Sequence, residues 1–326
     1  MNDAAEFRHF KYLLAVAEHK GFRAAAERLN TSQPSLSKQA KEFQEAFQIE
    51  LFQKTKSGRI RLTPTGSAFI AIARDLLEAR DEAIAALIAI HRKETSLLRL
   101  GCTSFVDGEL CHLACELHKQ LAPSCAIHPS LGDTVTLLRE LEGDKVDAAI
   151  VTLPVIDERF RVETIKRDSL VVCLPADHPL ALKATLSPSD LGSNLTIFRH
   201  PDQHPAAHAH LLELLTGSGI MVEEHSHTSH PHETQTLVKS GYGFALIREG
   251  TPLESGLTTR SVMGVDWTVD TAIVFKKDTK LRTLPVLVRG LRRMYSLQAV
   301  PKKPPTSAKV EDGPSQMSLL PERKAS

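Results

Sequence analysis

Apolar residues at the start of the chain recur every three or four positions, which is the spacing of a buried helix face. The segment 6–18 places four of them at this spacing: Phe7, Phe10, Leu14 and Ala17. This pattern predicts an amphipathic helix that ends near Gly21. The alanine-rich segment 22–29 predicts a second, shorter helix.

A third helix is predicted to begin at Ser32, whose hydroxyl can cap it, with Pro34 in the first turn, where a missing N–H costs little. Its apolar residues lie at i, i+4, i+7 and i+11 and form one face: Leu36, Ala40, Phe43 and Phe47. The opposite face is polar and partly basic near the helix start. Two short helices joined by about three residues predict a helix-turn-helix, whose second helix enters the DNA major groove.

A basic segment follows the third helix. Residues 54–61 read KTKSGRIR, with basic side chains and no acidic one, around an SG turn that two strands could flank to form a wing. The first 61 residues hold eleven Lys and Arg against seven Asp and Glu, although the whole chain has a net charge of only +1. This local surplus suits a phosphate backbone, whereas an ordinary helical bundle with a solvated basic loop is the alternative.

The segment 64–93 predicts one long helix, capped by Thr63 and about 45 Å in length. Its apolar residues form a stripe: Phe69, Ile72, Ala73, Leu76, Ala83, Ile84, Leu87 and Ile88. A small domain cannot cover so long a stripe, so we expect a dimer formed through this helix. Packing of the helix on the downstream domain is the alternative.

Beyond the long helix, short apolar segments alternate with amphipathic ones. The predicted strands are Leu97–Leu100, Ala126–Leu131, Asp147–Leu153, Ser169–Leu174, Leu195–Phe198, Ile220–Glu224, Phe244–Ile247 and Thr268–Phe275. The predicted helices are 106–121, 134–142, 205–216, 231–240 and 281–298. This alternation predicts α/β sheets with parallel strands. Extended stretches near 160–168 and 262–270 suggest two lobes, with a ligand site in the crevice at the carboxyl ends of the strands.

These elements predict four regions along the chain: a winged helix-turn-helix domain (1–63), a linker helix for dimerisation (64–94), a two-lobed α/β domain (95–298) and a disordered tail (299–326). Lobe I would comprise 95–163 and 269–298, and lobe II would comprise 164–268. The tail is rich in Pro, Ser and charged residues, a composition that cannot build a core.

The composition narrows the function classes. We expect a cytoplasmic protein without a membrane partner, because the chain shows neither a transmembrane run nor a signal-peptide core. The five cysteines lack a CxxC pair and are predicted to be free thiols. No nucleophile elbow, phosphate-binding loop, dinucleotide fingerprint or HExxH motif is found, so neither an enzyme nor a cofactor is predicted.

The N-terminal motifs AAERL, SQPSLSKQ, LF and LTPTG, in this order and spacing, resemble the LysR-type transcriptional regulators. Downstream, LLRELEGDKVDAAIV, LVVCLPADHPLA and VKSGYGFALI resemble the effector-binding domain of that family. The resemblance implies a winged helix-turn-helix, a linker-helix dimer, often assembled into a tetramer, and two lobes like those of periplasmic binding proteins. It also implies that a small molecule, often an organic anion or an aromatic compound, binds between the lobes and shifts the assembly on double-stranded promoter DNA. RNA polymerase stays open as a further partner.

The matching positions imply specific DNA contacts. Those on the third helix are Gln33, Pro34, Ser35, Ser37, Lys38 and Lys41, and those of the wing are Lys54, Arg59 and Arg61. Gln33 suits an adenine edge, and Ser37 and Lys38 can reach base edges or phosphate. The family often has arginine where Lys38 and Lys54 stand, and lysine lacks its bidentate geometry.

The same matching implies an effector site. Its residues are Thr103, Ser104, Asp133, Thr134, Arg199, His200, Ser229 and His230. Helix N-termini and hydroxyls suit an anion, and Arg199 can hold a carboxylate. Asp133 stands where a small hydroxyl residue is common. It argues against a simple dianionic ligand, or for a ligand that carries an amine or a hydroxyl.

Histidines cluster in one part of the second lobe. Of the fifteen in the chain, those between 200 and 232 are His200, His204, His208, His210, His225, His227, His230 and His232. His204 and His208 are four residues apart, a workable metal pair if both lie on a helix. A metal- or pH-responsive regulator of the same architecture is therefore an alternative, although nearby prolines and the lack of cysteines favour a polar surface without a metal.

Overall fold

The computed structural model describes residues 5–54, 60–94, 96–221 and 223–298. Its α-helices are α1 (Phe7–Glu18), α2 (Phe22–Arg28), α3 (Gln33–Phe47), α4 (Pro64–His91), α5 (Gly108–Leu121), α6 (Thr134–Glu142), α7 (Pro205–Gly217), α8 (Pro231–Lys239) and α9 (Leu284–Gln298). Its strands are β1 (Phe52–Lys54), β2 (Ile60–Leu62), β3 (Leu97–Cys102), β4 (Ala126–Leu131), β5 (Ala148–Thr152), β6 (Phe160–Pro175), β7 (Thr185–Leu186), β8 (Leu195–Arg199), β9 (Ser226–Thr228), β10 (Phe244–Arg248), β11 (Leu257–Val262) and β12 (Thr268–Lys276). The predicted tail, 299–326, lies outside the described residues.

The N-terminal bundle forms as the hydrophobic spacing predicts. Ser32 caps α3, because its hydroxyl accepts a hydrogen bond from the Ser35 backbone N–H at 3.3 Å. The predicted apolar face of α3 turns inward, with Leu36, Ala40 and Phe43 buried against α1 and α2. The opposite face of α3 is exposed to solvent.

The wing strands are also confirmed. β1 and β2 pair antiparallel, with Lys54 opposite Ile60. The turn between them, including Arg59, lies outside the described residues, and so does the side chain of Lys54.

The long helix α4 has 28 residues and is about 42 Å long. The Thr63 hydroxyl caps it by accepting from the Gly66 N–H at 2.9 Å. The predicted stripe divides into two sides. Phe69 and Ala73 are buried in the N-terminal core, whereas Ile72, Ile84, Leu87 and Ile88 are 45–66% exposed in the single chain.

The far half of α4 docks on the downstream domain through charge pairs. Glu82 accepts from Arg161 of β6 at 2.9 Å and also binds Arg289 of α9, while Glu78 lies 3.2 Å from Arg161. The alternative of packing on the downstream domain is therefore realised on one side of the helix. The exposed side remains available for the predicted dimer.

The downstream domain is a two-lobed α/β fold, in which strands follow the order β4-β3-β5-β12-β6-β10-β8-β9, while β11 pairs with β6 and β7 pairs with β11. The prediction of parallel strands is only partly right. β3 pairs parallel with β4 and β5, and β8 with β9 and β10, but β12 runs antiparallel to both β5 and β6. β10 and β11 also pair antiparallel with β6, the long strand that continues from one lobe into the other.

Two predicted segments need correction, and two strands were missed. The described residues of the predicted strand Ile220–Glu224, on either side of position 222, are not in a strand; the strand follows at Ser226–Thr228, and Met221 is 79% exposed. The stretch 160–168 is not a separate connector but the first part of β6, which continues from one lobe into the other. β7 and β11 were not predicted. Predicted helices of the domain match α5 to α9, with ends moved by no more than three residues.

No helix among the described residues is long and apolar enough to cross a membrane.

Candidate DNA-binding surface and interlobe cavity

The first turns of α3 present polar side chains to solvent. Gln33, Pro34, Ser35, Lys38 and Lys41 are exposed, and Ser37 is half-buried. This exposure follows from the helix period, since the apolar face of α3 is occupied by the bundle core. The predicted recognition residues therefore share one accessible surface.

The two lysines of this surface are weakly held. Lys38 lies 3.7 Å from Glu42 and Lys41 lies 3.5 Å from Glu45, each pair one helical turn apart and well exposed. Such surface pairs contribute well below about 1 kcal/mol, so a phosphate can replace the glutamate at little cost. Arg61 is exposed on β2, opposite Gln53, on the wing.

A second concave site lies between the two lobes. It is a cavity of about 810 Å³ bounded by the loop after β3, the start of α7, the start of α8 and the end of β10. Its apolar lining includes Phe105, Leu170, Ile197, Phe198, Leu211, Leu214, Leu246 and Ile247. Its size and its largely apolar wall suit a small organic molecule.

Arg199, at the end of β8, is the cavity-lining arginine that forms no ion pair among the described residues. Its Nη1 donates to the Thr152 hydroxyl at 3.1 Å, and its guanidinium carbon lies 4.3 Å from the centroid of the Phe105 ring. Its Nε is buried without a hydrogen-bond partner, and no carboxylate lies within ion-pair distance among the described residues. Burial lowers the pKa of Arg199 to about 10, against the opposing field of Asp133.

Four of the predicted effector residues line this cavity: Ser104, Arg199, His200 and His230. Ser104 donates to the backbone oxygen of Ser229 at 3.4 Å, which links the lobes, but Ser229 itself is not part of the lining. The turn before α8 therefore contributes its histidine rather than its serine.

Three predicted residues lie behind the cavity wall. The hydroxyls of Thr103 and Thr134 are buried and have no hydrogen-bond partner. Asp133 caps α6 by accepting from the Thr136 N–H at 2.8 Å and from its hydroxyl at 2.7 Å. Burial alone would raise the pKa of Asp133, but these hydrogen bonds lower it below its usual value. Its carboxylate is therefore ionised, and both of its oxygens already accept hydrogen bonds from Thr136.

The predicted metal pair His204 and His208 is not formed. His204 is the N-cap of α7; its Nε2 bonds the Thr152 backbone oxygen at 2.7 Å and its Nδ1 accepts from the Ala207 N–H, so both ring nitrogens are used. Burial lowers the pKa of His204. His208 and His227 share the carboxylate of Glu224 at 3.1 and 2.7 Å. Within the described ranges no group of three ligand side chains is placed to hold a metal ion.

A cross-lobe ion cluster next to the cavity was missed by sequence reasoning. Asp107, which caps α5, lies 3.1 Å from Lys166 and 3.2 Å from Arg248. Asp168 lies 3.1 Å from Lys166 and 3.8 Å from Arg248. The cluster joins the loop after β3, the crossing strand β6 and β10. Its two carboxylates balance its two cations, so this cluster leaves no carboxylate to pair with Arg199.

Comparisons with known proteins agree with this architecture. A family model described as "Bacterial regulatory helix-turn-helix protein, lysR family" matches residues 7–67, and one described as "LysR substrate binding domain" matches residues 91–294. The transcriptional regulator BudR of Raoultella terrigena is 27% identical over 245 residues, 74% of this chain and 84% of BudR. The regulator AlsR of Bacillus subtilis is 25% identical over 275 residues, 84% of this chain and 91% of AlsR.

Among solved structures, full-length BenM superposes with a TM-score of 0.55 at 22% identity and covers 92% of this chain and 100% of BenM. This likeness shows the shared fold. The family matches span the helix-turn-helix and nearly all of the two-lobed domain, in the order predicted from the sequence. The chain therefore belongs to the LysR family of DNA-binding transcriptional regulators, which carry an effector-binding domain.

Proposed function

We propose that this regulator binds promoter DNA through the start of α3 and the wing, and that a small organic anion held between the lobes controls this binding. The observation that carries the proposal is Arg199, a half-buried guanidinium at the wall of a largely apolar cavity, whose buried Nε has no hydrogen-bond partner and which forms no ion pair among the described residues. A buried charge without a partner is costly, and an anionic ligand would offset that cost.

The DNA contacts follow from the exposed surface of α3. Gln33 would read an adenine edge, while Ser37 and Lys38 would reach base edges or phosphate. Pro34, Ser35 and Lys41 complete this surface, and Lys54, Arg59 and Arg61 would hold the wing on the phosphate backbone. Two copies would join through the exposed α4 residues Ile72, Ile84, Leu87 and Ile88, so that two recognition helices meet one duplex.

The cavity favours a ligand with one carboxylate and an apolar or aromatic body. Of the arginines that line the cavity among the described residues, only Arg199 lacks a counter-ion, since Arg248 and Arg167 are paired with Asp107 and Asp270. A second carboxylate would have no unmatched cation to meet among the described residues. Phe105 and the leucines of α7 would cover the body of the ligand.

A thermal-shift screen of small carboxylates, matched amides and amines tests the proposal. We expect several monocarboxylates to raise the melting temperature of the wild-type protein and to change its affinity for the DNA upstream of its own gene. Arg199→Met should abolish both effects. Arg167→Met is the matched control, because Arg167 also lines the cavity but is paired with Asp270, and it should keep the response.

Equal stabilisation by carboxylates and their amides, or an unchanged response in Arg199→Met, would contradict the proposed ligand class. Carboxylate binding without any change in DNA affinity would contradict the control mechanism.

A further inference from the structure

The interlobe cavity continues from Arg199 along the length of α7. Both the last and the first residue of β8, Arg199 and Leu195, line it, and so do Ala207 near the start of α7 and Leu214 near its end. The four strand residues from Arg199 to Leu195 span about 13 Å. The seven helical residues from Ala207 to Leu214 span about 10 Å. This part of the cavity is therefore a channel that leads from the cleft at Arg199 to the far end of α7.

The wall of the channel is largely apolar. Side chains of three neighbouring strands line it from the sheet and two leucines line it from the helix: Leu170, Phe198, Leu246, Leu211 and Leu214. The charged and histidine side chains along the channel are paired with other protein groups, namely His208 with Glu224, His210 with Glu213 and Arg167 with Asp270. This pairing leaves the apolar surface for the body of a ligand.

Helix α7 covers this surface incompletely. Of its four leucines only Leu215 is buried, whereas Leu211, Leu212 and Leu214 are half-buried. Protein interiors are normally close-packed, and an apolar cavity stays dry and takes up apolar groups. A hydrocarbon group of the ligand would therefore fill the space under α7.

The core of lobe II closes the far end of the channel. Trp267 is 5% exposed and packs in the same cluster as Leu195 and Leu214. Its Nε1 donates to the hydroxyl of Ser218, the residue after α7, at 3.3 Å. The channel thus has a defined length, with a cation at its open end and an apolar wall at its closed end.

We propose that the ligand is an unbranched medium-chain carboxylate, whose carboxylate meets Arg199 and whose alkyl chain lies under α7. Carbon–carbon bonds of about 1.5 Å advance an extended chain by about 1.3 Å per carbon, so a channel of about 13 Å holds roughly eight to ten carbons. A compact aromatic acid would fill only the end near Arg199. This ligand class rests on the proposed function, because it takes Arg199 as the carboxylate site, and it adds the shape and length of the apolar part.

Calorimetric titration of the full-length protein with unbranched carboxylates, each below its micelle-forming concentration, measures the dependence on chain length. We expect the affinity to rise about three- to fourfold with each added CH₂ and to stop rising at about ten carbons. Decanol has the same chain without the charge and should bind at least about tenfold more weakly than decanoate. Arg199→Met should remove this difference between the acid and the alcohol.

Trp267, the only tryptophan of the chain, reports where the alkyl chain ends. Decanoate with a bromine on its last carbon should quench the emission of Trp267, because bromine quenches at near contact. Decanoate with a bromine beside the carboxylate should bind without quenching.

Two variants of α7 test the position of the chain. Leu214→Phe fills the far end of the channel and should shorten the best-bound carboxylate by about two to four carbons. Leu212→Phe is the matched control, because Leu212 lies on the same helix but is not among the residues that line the cavity. It should keep the wild-type dependence on chain length.

An affinity that does not rise beyond about four carbons would overturn the alkyl chain under α7. Equal quenching by the two bromine positions would overturn it too. If short carboxylates still bound through Arg199 in either case, the proposed function would stand. Failure of every carboxylate to bind the wild-type protein would contradict both.

Discussion

The charged side chains on the recognition surface of α3 and in the interlobe cavity differ in both exposure and ion pairing. Lys38 and Lys41 are exposed to solvent and pair with glutamates of their own helix. Arg199 is half-buried with its Nε fully covered, lacks a carboxylate partner among the described residues, and has a pKa that desolvation lowers to about 10. A DNA-contacting surface needs charges that exchange partners cheaply, whereas a ligand cavity can hold a charge whose cost is offset only when the ligand binds.

The cross-lobe ion cluster gives the largest expected effect. Asp107→Asn keeps the cap of α5, because the amide oxygen can still accept from the Glu109 N–H, but it leaves Lys166 and Arg248 with one carboxylate. We expect a loss of about 3 kcal/mol in the free energy of unfolding. Asp270→Asn, which frees the exposed Arg167, should cost less than about 1 kcal/mol. Chemical denaturation measures both, and equal losses would remove the contrast between buried and exposed pairs.

Replacement of Arg199 should stabilise the protein, in contrast to replacement of Asp107. Arg199→Met removes a half-buried charge that has no carboxylate partner among the described residues, while keeping an apolar stem against Phe105. We expect the free energy of unfolding without ligand to rise by about 1–2 kcal/mol. A lower free energy of unfolding in the same denaturation experiment would mean that Arg199 already has a stabilising role without a ligand.

Buried histidines should make the two-lobed domain sensitive to acid. Burial lowers the pKa of His118, whose Nε2 bonds the Thr283 hydroxyl at 3.1 Å, so the unfolded chain takes up a proton at a higher pH than the folded one. The contribution of His118 to the free energy of unfolding is therefore fully present above the unfolded pKa of about 6.5, and it is lost as the pH falls below that value. Between pH 8 and pH 5, the melting temperature should depend less on pH in His118→Gln than in the wild-type protein. His112→Gln, at an exposed neighbouring position on α5, should keep the wild-type pH dependence. Parallel profiles for all three proteins would refute this assignment.

The recognition surface should give the smallest effect on stability. Lys38→Gln removes only an exposed pair with Glu42 and should change the free energy of unfolding by less than about 0.5 kcal/mol. It should nevertheless lower the slope of log affinity against log salt for DNA by about one. A variant with unchanged stability and an unchanged slope would place Lys38 away from the phosphates.

Local signals were readable from the sequence. The cap at Ser32 and the start of α6 at Thr134 depend on neighbouring residues only, and both were predicted at the residue. The segment 220–224 misled the prediction, because an apolar run after α7 was taken for a strand while Met221 is exposed.

The chemistry of the cavity was less accessible from the sequence. Arg199 was predicted to hold a carboxylate, but its lack of a partner depends on every residue around it. The pair between Arg248 and Asp107 joins residues 141 positions apart, and no local pattern marks it. His204 was interpreted as one of a metal pair, whereas its role as a helix cap appears only once α7 is placed. Long-range pairing and burial therefore limited the prediction.

Fluorescence anisotropy with the DNA upstream of the gene and a scrambled duplex, from about 50 to 300 mM salt, tests the central claim most directly. We expect affinity to fall steeply with salt. Gln33→Ala should reduce the ratio of the affinity for the matched duplex to the affinity for the scrambled one. Arg61→Ala should lower the affinity for both duplexes about equally. An affinity that does not change with salt, or identical losses in the two variants on both duplexes, would contradict the assignment of α3 and the wing as the DNA-binding surface.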